Sequence, residues 1–483
     1  MDPSRRVATV LTSVVVATLV YIIMKKAKRK RPPGPGYPII GDIEAFSALA
    51  NNKAAVYIFK KQMLYGRIMD FRVLNQSIYV LADPDEAHRI LNNSHEFYRD
   101  RTFQNASEKI MESALFCLPS GDTWHRHRKL LSPAFSPIHL QHALEVSIKS
   151  TKQLCKYWAS LGPKVIHNVH HEFACLTLDV IGQVAFSQDF GVVKSLSTDN
   201  VSETYQLFEK VGGAIGKRMN QPKWFWWPLG VTVKDIEYET TRVRQIAIDV
   251  LQTKMAATVA RPEREWDVLD RLLAKSTDGE DKFTPDEVID ELMGFYFAGH
   301  ETTSNTISFA IMALAQNPTV TAKLLAEIDD RVGKGEPTMA MLSELKYLDN
   351  FVKEVQRLYT VAGFNLRRPR QDSEICGYMV PKDSVVIINI WAIHTAPWIW
   401  GITGRDFDPD RWTRPIPHNA YLPFGSGPMG CIGQKMALIE LKVALITMLQ
   451  RFTFELVPNQ DLEPESAVTI GMRQGLRVTL TPR

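Results

Sequence analysis

The sequence predicts a mainly α-helical protein with a minor β component, and three observations lead there. Helix-like apolar patterning runs through most of the chain, while strand-like alternation is confined to short stretches at 68–73, 77–81, 384–390 and 476–480. One segment, 284–317, carries the start and stop signals of an unusually long helix. The 483 residues are 45% hydrophobic and 10% aromatic, enough to bury a large core.

The amino-terminal segment reads as a membrane anchor. Residues 7–24, VATVLTSVVVATLVYIIM, carry no charge, and as a helix they span roughly 27 Å, enough to cross a thin bilayer. A run of six basic residues follows, Lys25, Lys26, Lys28, Arg29, Lys30 and Arg31, where a cleaved signal peptide would need small residues. That order is a stop-transfer and positive-inside signal. It predicts residues 1–31 as an uncleaved single-pass anchor, with 32–483 as one catalytic domain on the cytosolic side. The six charges more than account for the net +4 of the chain, so no general basic excess points to nucleic acid. Next comes PPGPGYP at 32–38, where fixed φ angles and missing amide donors favour a stiff extended spacer.

The long helix begins at Thr284-Pro285-Asp286-Glu287, a capping box with proline in the first turn, and runs to Asn317 before Pro318. Its apolar residues surround the axis, which places it at the centre of the fold. Inside it lies FAGHETTS, 297–304, a glycine and adjacent threonines beside an acid. These are poor helix formers, and such breaches of local preference mark functional sites.

Cysteine use is sparse and odd: Cys117, Cys155, Cys175, Cys376 and Cys431, without zinc or disulfide spacing. Cys431 differs from the others in its surroundings, FGSGPMGCIG at 424–433, followed by an apolar helical stretch. The glycines admit a flat ligand close to the backbone. The following helix start offers amides and a positive dipole end to a sulfur anion. The loop lacks the Lys-Ser/Thr of a Walker motif and does not match the dinucleotide fingerprint, so a thiolate metal ligand is the better reading.

Four motifs in order resemble the cytochrome P450 family, of the membrane-anchored microsomal type. They are the cysteine loop with Phe424, Gly427, Cys431 and Gly433; KEVQR with Glu354 and Arg357; FDPDRW with Arg411; and Ala298-Gly299-His300-Glu301-Thr302-Thr303 in the long helix. The resemblance implies a haem b held between the central helix and the cysteine loop, with Cys431 as iron ligand. Thr302 and Glu301 would then handle protons for O2, Gly299 would leave room over the iron, and Glu354, Arg357 and Arg411 would form a structural charge network. Trp124 and Arg128 in WHRHR, with Arg367, match positions that hold the haem propionates. Two departures stand out. Met429 occupies a place usually taken by Arg or His, so either the haem has one charged anchor fewer or a residue such as His125 or Arg126 replaces it. Thr395-Ala396 replaces the common Arg-Asp after His394.

The activity implied is a monooxygenase inserting one oxygen atom of O2 into a hydrophobic molecule such as a fatty acid, sterol, terpenoid or xenobiotic. Electrons would come from an NADPH–cytochrome P450 reductase at the endoplasmic reticulum membrane, with cytochrome b5 as a further candidate partner. Expected pocket walls are 103–116, a helix pair within 202–243, Phe295, Phe297, 361–365 and Gly471-Met472. The cluster KWFWW at 223–227 suits a membrane interface and equally core packing or the pocket lining. The alternatives are a haem-thiolate isomerase or dehydratase, which would not need Glu301 and Thr302, and a non-catalytic haem-binding protein.

Overall fold

The computed structural model describes residues 31–35, 41–50, 53–73, 76–198, 202–256, 266–277, 283–472 and 474–483. The anchor segment 7–24 and its basic run up to Lys30 lie outside the described residues. Among those described, no helix is long and apolar enough to cross a membrane.

Helix dominates, with strands in four small sheets, as the sequence predicts. The strands are β1 (Ile68–Val73), β2 (Gln76–Leu81), β3 (Phe97–Tyr98), β4 (Ile166–Asn168), β5 (Phe364–Pro369), β6 (Ser373–Ile375), β7 (Tyr378–Val380), β8 (Val385–Asn389), β9 (Phe452–Leu456), β10 (Pro464–Ser466), β11 (Ile470–Met472) and β12 (Arg477–Pro482). The largest sheet has the order β1-β2-β8-β5-β3, with β2 and β8 parallel and the other pairs antiparallel. It covers its own apolar cluster, while most of the core lies among the helices.

Seven helices carry the site: α1 (Asp122–Leu131), α2 (Pro137–Leu161), α3 (Val169–Phe186), α4 (Glu203–Asn220), α5 (Pro285–Gln316), α6 (Lys346–Leu358) and α7 (Gln434–Leu449). α5 is the long central helix, 32 residues and about 48 Å. Its capping box forms as the sequence indicates: the Glu287 amide donates to Thr284 Oγ1 at 3.2 Å, and the Thr284 amide donates to Glu287 Oε2 at 2.9 Å. At the far end Asn317 bonds back through its side chain to the Ala313 carbonyl, and Pro318 starts the next helix. α3 packs along α5, and α2 packs against α7, so the central helix is covered on most sides.

Candidate active site

In the middle of this buried helix, Ala298 is exposed and Gly299, Glu301 and Thr302 are half-exposed. Their free surface opens not on solvent but on an internal cavity of about 1270 Å³. Pockets for drug-sized ligands run roughly 300–1,000 Å³. This one therefore has room for a large flat group and a second molecule. Cys431 lies on its wall, together with Phe424, Gly425, Met429, Ile432 and Gly433.

The cysteine loop is shaped by backbone contacts. Gly425 and Gly427 have φ of 72° and 73°, and a Cβ on Gly427 would sit 2.4 Å from the Leu91 carbonyl oxygen, so only glycine fits there. The Cys431 amide donates to the Phe424 carbonyl at 3.0 Å, closing the loop under the cavity. The helix expected from Ile432 begins at Gln434, with Gly433 as its cap. The Gly433 amide hydrogen-bonds the sulfur and, with the Arg128 guanidinium, pulls the thiol pKa down, as a helix start should. Burial outweighs both and leaves the thiol above its ordinary value. A cation bound to the sulfur would add to the pull of the Gly433 amide and Arg128 toward the thiolate.

Behind this loop the charge network is complete. Arg357 donates to both Glu354 oxygens, at 2.8 and 2.7 Å, and to the His394 and Gly404 carbonyls. Arg411 reaches Glu354 Oε1 at 3.4 Å, and the Trp412 indole and Asp408 amide donate to the same carboxylate at 3.0 Å each. His394, whose pKa burial pushes down to about 3, accepts from the Leu422 amide and bonds Thr360. It thereby ties α6 to the approach of the cysteine loop.

On the opposite wall, the Thr302 hydroxyl donates to the Ala298 carbonyl one turn back at 2.8 Å, which leaves its lone pairs free to accept from a molecule in the cavity. Glu301 Oε1 accepts from the Thr469 hydroxyl at 2.5 Å, and burial raises its pKa against the pull of Thr469. His300 faces away, bonded to the Tyr296 carbonyl, and is neutral with a pKa pushed down to about 4 by burial. Gly299 lies on the cavity wall. A Cβ there would lie 2.7 Å from the Ile181 side chain, so the glycine also lets α3 approach α5, and both Gly299 and Ile181 line the cavity.

Arg128 donates to the Gly430 carbonyl at 3.0 Å, and Trp124 is buried one turn away on α1. Arg367 is buried on β5, bonded to Asn365 and its own neighbouring carbonyl. Sequence reasoning missed Arg99, for which no motif gives a signal. Arg99 lines the cavity, bonds only the Phe116 and Leu115 carbonyls, and keeps its Nε buried without a partner. Burial and the Arg128 charge depress its pKa to about 10; burial and the Arg99 charge do the same to Arg367. Among the described residues, none of the three has a carboxylate partner. A cluster of mutually repelling, buried guanidiniums is stable only with an anion supplied from elsewhere.

The two candidates to replace the missing charge at Met429 lie on α1. Arg126 pairs with Glu287 and lies over Phe283, and His125 is exposed, edge-on to Trp124. Met429 itself faces the cavity and accepts weakly from the Ser120 hydroxyl at 3.7 Å. The expected pocket walls are present at 103–116, Phe295, Phe297 and 361–365, and α4 contributes Ile215 and Met219. The carboxy-terminal wall is 466–470, not Gly471-Met472, because the turn between β10 and β11 points inward. The 223–227 cluster divides: Trp224 and Phe225 line the cavity, Trp226 is buried, and Trp227 is 79% exposed.

Comparison with known proteins decides what this arrangement is. The family model for cytochrome P450 matches residues 32–477. The chain belongs to the cytochrome P450 family. Similar proteins include a putative cytochrome P450, CYP13A8, of Caenorhabditis elegans, 30% identical over 89% of this chain and 90% of its own length. Another is the putative cytochrome P450 132 of Mycobacterium bovis, 30% identical over 81% of this chain and 87% of its own. The chloroplastic protein LUTEIN DEFICIENT 5 of Arabidopsis thaliana is 25% identical over 92% of this chain. As a P450, the chain is a haem-thiolate monooxygenase in the general sense, using O2 and an external electron donor. The residues present fit haem: one cavity-facing thiol and a cationic cluster with no anion of its own.

Proposed function

We propose that this P450 oxidises a hydrophobic small molecule, in the size range of a fatty acid, sterol, terpenoid or xenobiotic, drawing electrons from an NADPH-dependent flavoprotein reductase, with cytochrome b5 as a second donor. The observation that carries this reading is the opposition, across one largely apolar cavity, of Cys431 and the Glu301–Thr302 pair. Phe71, Phe103, Phe116, Phe297, Ile215 and Ile470 give the far part of that cavity walls that exclude water and reward apolar surface.

Cys431 would hold the iron, and Arg99, Arg128 and Arg367 would compensate the propionates, of a haem b that would supply the activation of O2 for insertion. The chain's own work is then to position and to move protons. Thr302, its hydroxyl hydrogen committed to Ala298, keeps its lone pairs free to accept a hydrogen bond from a group in the cavity and so to orient it. Glu301, kept protonatable by burial, supplies the proton from Oε2, while Oε1 stays on Thr469. Excluding other water from this wall keeps reducing equivalents from being lost as peroxide.

The uncharged segment 7–24 and the basic run after it support a single-pass anchor in the endoplasmic reticulum membrane with the catalytic part in the cytosol. Exposed Trp224 and Trp227 suit contact with the same bilayer surface. The decisive experiment is the absorption spectrum of the reduced, CO-treated protein. A red-shifted Soret band that is lost in Cys431→Ala is expected; its absence in the wild type would refute the reading. Displacement of the water ligand on ferric haem, followed across a library of apolar compounds, then names the substrate class.

A further inference from the structure

Glu301 lines the cavity, and a series of hydrogen bonds holds it from the other side. Thr469 Oγ1 donates to Glu301 Oε1 at 2.5 Å, Asn305 Nδ2 donates to Thr469 Oγ1 at 2.9 Å, and His170 Nε2 meets Asn305 Oδ1 at 2.9 Å. The three come from separate parts of the fold: the turn between β10 and β11, the turn of α5 that follows Glu301, and the start of α3.

Each link fixes the next. A threonine hydroxyl has one hydrogen, and it is spent on Glu301, so Asn305 must turn its NH2 toward Thr469 and its carbonyl toward His170. His170 must then carry its hydrogen on Nε2, so its tautomer is set by the chain. Its lowered pKa, caused by burial, keeps the ring neutral and able to play that part. All donors in the series point toward Glu301. Gly471 makes room for this: a Cβ there would lie 2.7 Å from Asn305 Oδ1. No member of the chain belongs to the sequence motifs around Cys431, Glu354 or Thr302.

We infer that His170, Asn305 and Thr469 are positioning residues that clamp the Glu301 carboxyl by one oxygen and present the other to the cavity for proton transfer. The inference rests on the reading of Glu301 as the proton donor. The clamp itself is a property of the folded chain and is read without turnover. An acid held in this way delivers its proton from one place. An unclamped acid rotates, and its proton reaches the oxygen site less often.

The test is the carboxyl stretching band of Glu301 in the purified protein in mildly acidic buffer, assigned as the infrared band absent from Glu301→Gln. Thr469→Val keeps the shape and removes the hydroxyl; Thr469→Ser keeps the hydroxyl and removes a methyl group. The clamp predicts that Val shifts the band to higher wavenumber and broadens it, and that Ser leaves it in place. His170→Phe should move it in the same direction by less. A band unmoved in Thr469→Val, or moved as much by Ser as by Val, overturns the inference, and an unmoved band in His170→Phe overturns the three-member chain. The CO spectrum of the same preparations reads the haem assignment separately. A wild type without the thiolate band would sink that assignment while leaving the infrared result standing.

Discussion

Glu354 and Glu301 are both carboxylates inside the protein, and the structure treats them in opposite ways. Glu354 receives donors from Arg357, Arg411, Trp412 and the Asp408 amide, so its ionised form is saturated. Glu301 receives only Thr469, and burial raises its pKa. The first is held by these donors and serves as a rivet under the cysteine loop. The second is under-compensated, and its protonation can change with what enters the cavity. The degree of compensation, not burial itself, separates scaffold from chemistry.

The largest expected effect falls on the scaffold. Glu354→Gln leaves Arg357 buried without its anion and should cost about 3–5 kcal/mol, read as a lowered urea midpoint. A variant as stable as the wild type would break the distinction. Glu301→Gln should do the reverse, leaving stability within about 1 kcal/mol. Its product formation should fall roughly 10²-fold, with consumed NADPH recovered as peroxide. Thr302→Ala should uncouple in the same sense to a smaller extent, since the proton donor remains.

Arg99→Leu sharpens the same contrast at the cationic cluster. Removing one of three repelling charges should leave the haem-free protein at least as stable, while the loaded protein releases haem faster to an acceptor such as apomyoglobin. Equal effects on both forms would show that Arg99 is merely structural.

The smallest effect is a pH slope. Desolvation and the Glu301 charge raise Glu209, on α4, from the ordinary 4.5 to about 7, although the residue is exposed in the structure and solvent screening keeps its effect on stability small. The folded chain thus binds a proton there that the unfolded chain has released. Unfolding free energy should therefore fall as pH rises from 4.5 toward 7 and contribute no further slope above it. Glu209→Gln should flatten that window, and Glu301→Gln should narrow it.

Much of this was legible in the residues themselves. The Thr284–Glu287 box, the proline after it and the stop at Pro318 are local stereochemistry, and α5 follows them closely. The positive φ of Gly427 is equally local, whereas the Leu91 carbonyl that leaves glycine no substitute there is brought up by the fold. Arg99 was not legible: an arginine after a short strand carries no mark, and only the fold brings it beside Arg128 and Arg367. The packing of Gly299 against Ile181 was not legible either, because its motif asks for a small residue without saying which neighbour approaches it. The wall at 466–470 was displaced from 471–472 because the orientation of a hairpin turn depends on what it packs against.

The sequence by itself determined the helical class, the long central helix, the nucleating cysteine loop and the family, since each is written in spacings of a few residues. Tertiary structure alone decided which acid is saturated and which stays free to exchange a proton, and which arginines gather around an anion site. Thr469 meets Glu301 across 168 residues of chain. A pKa is set by the burial and donors around a group, and those are assembled from distant segments only when the chain has folded.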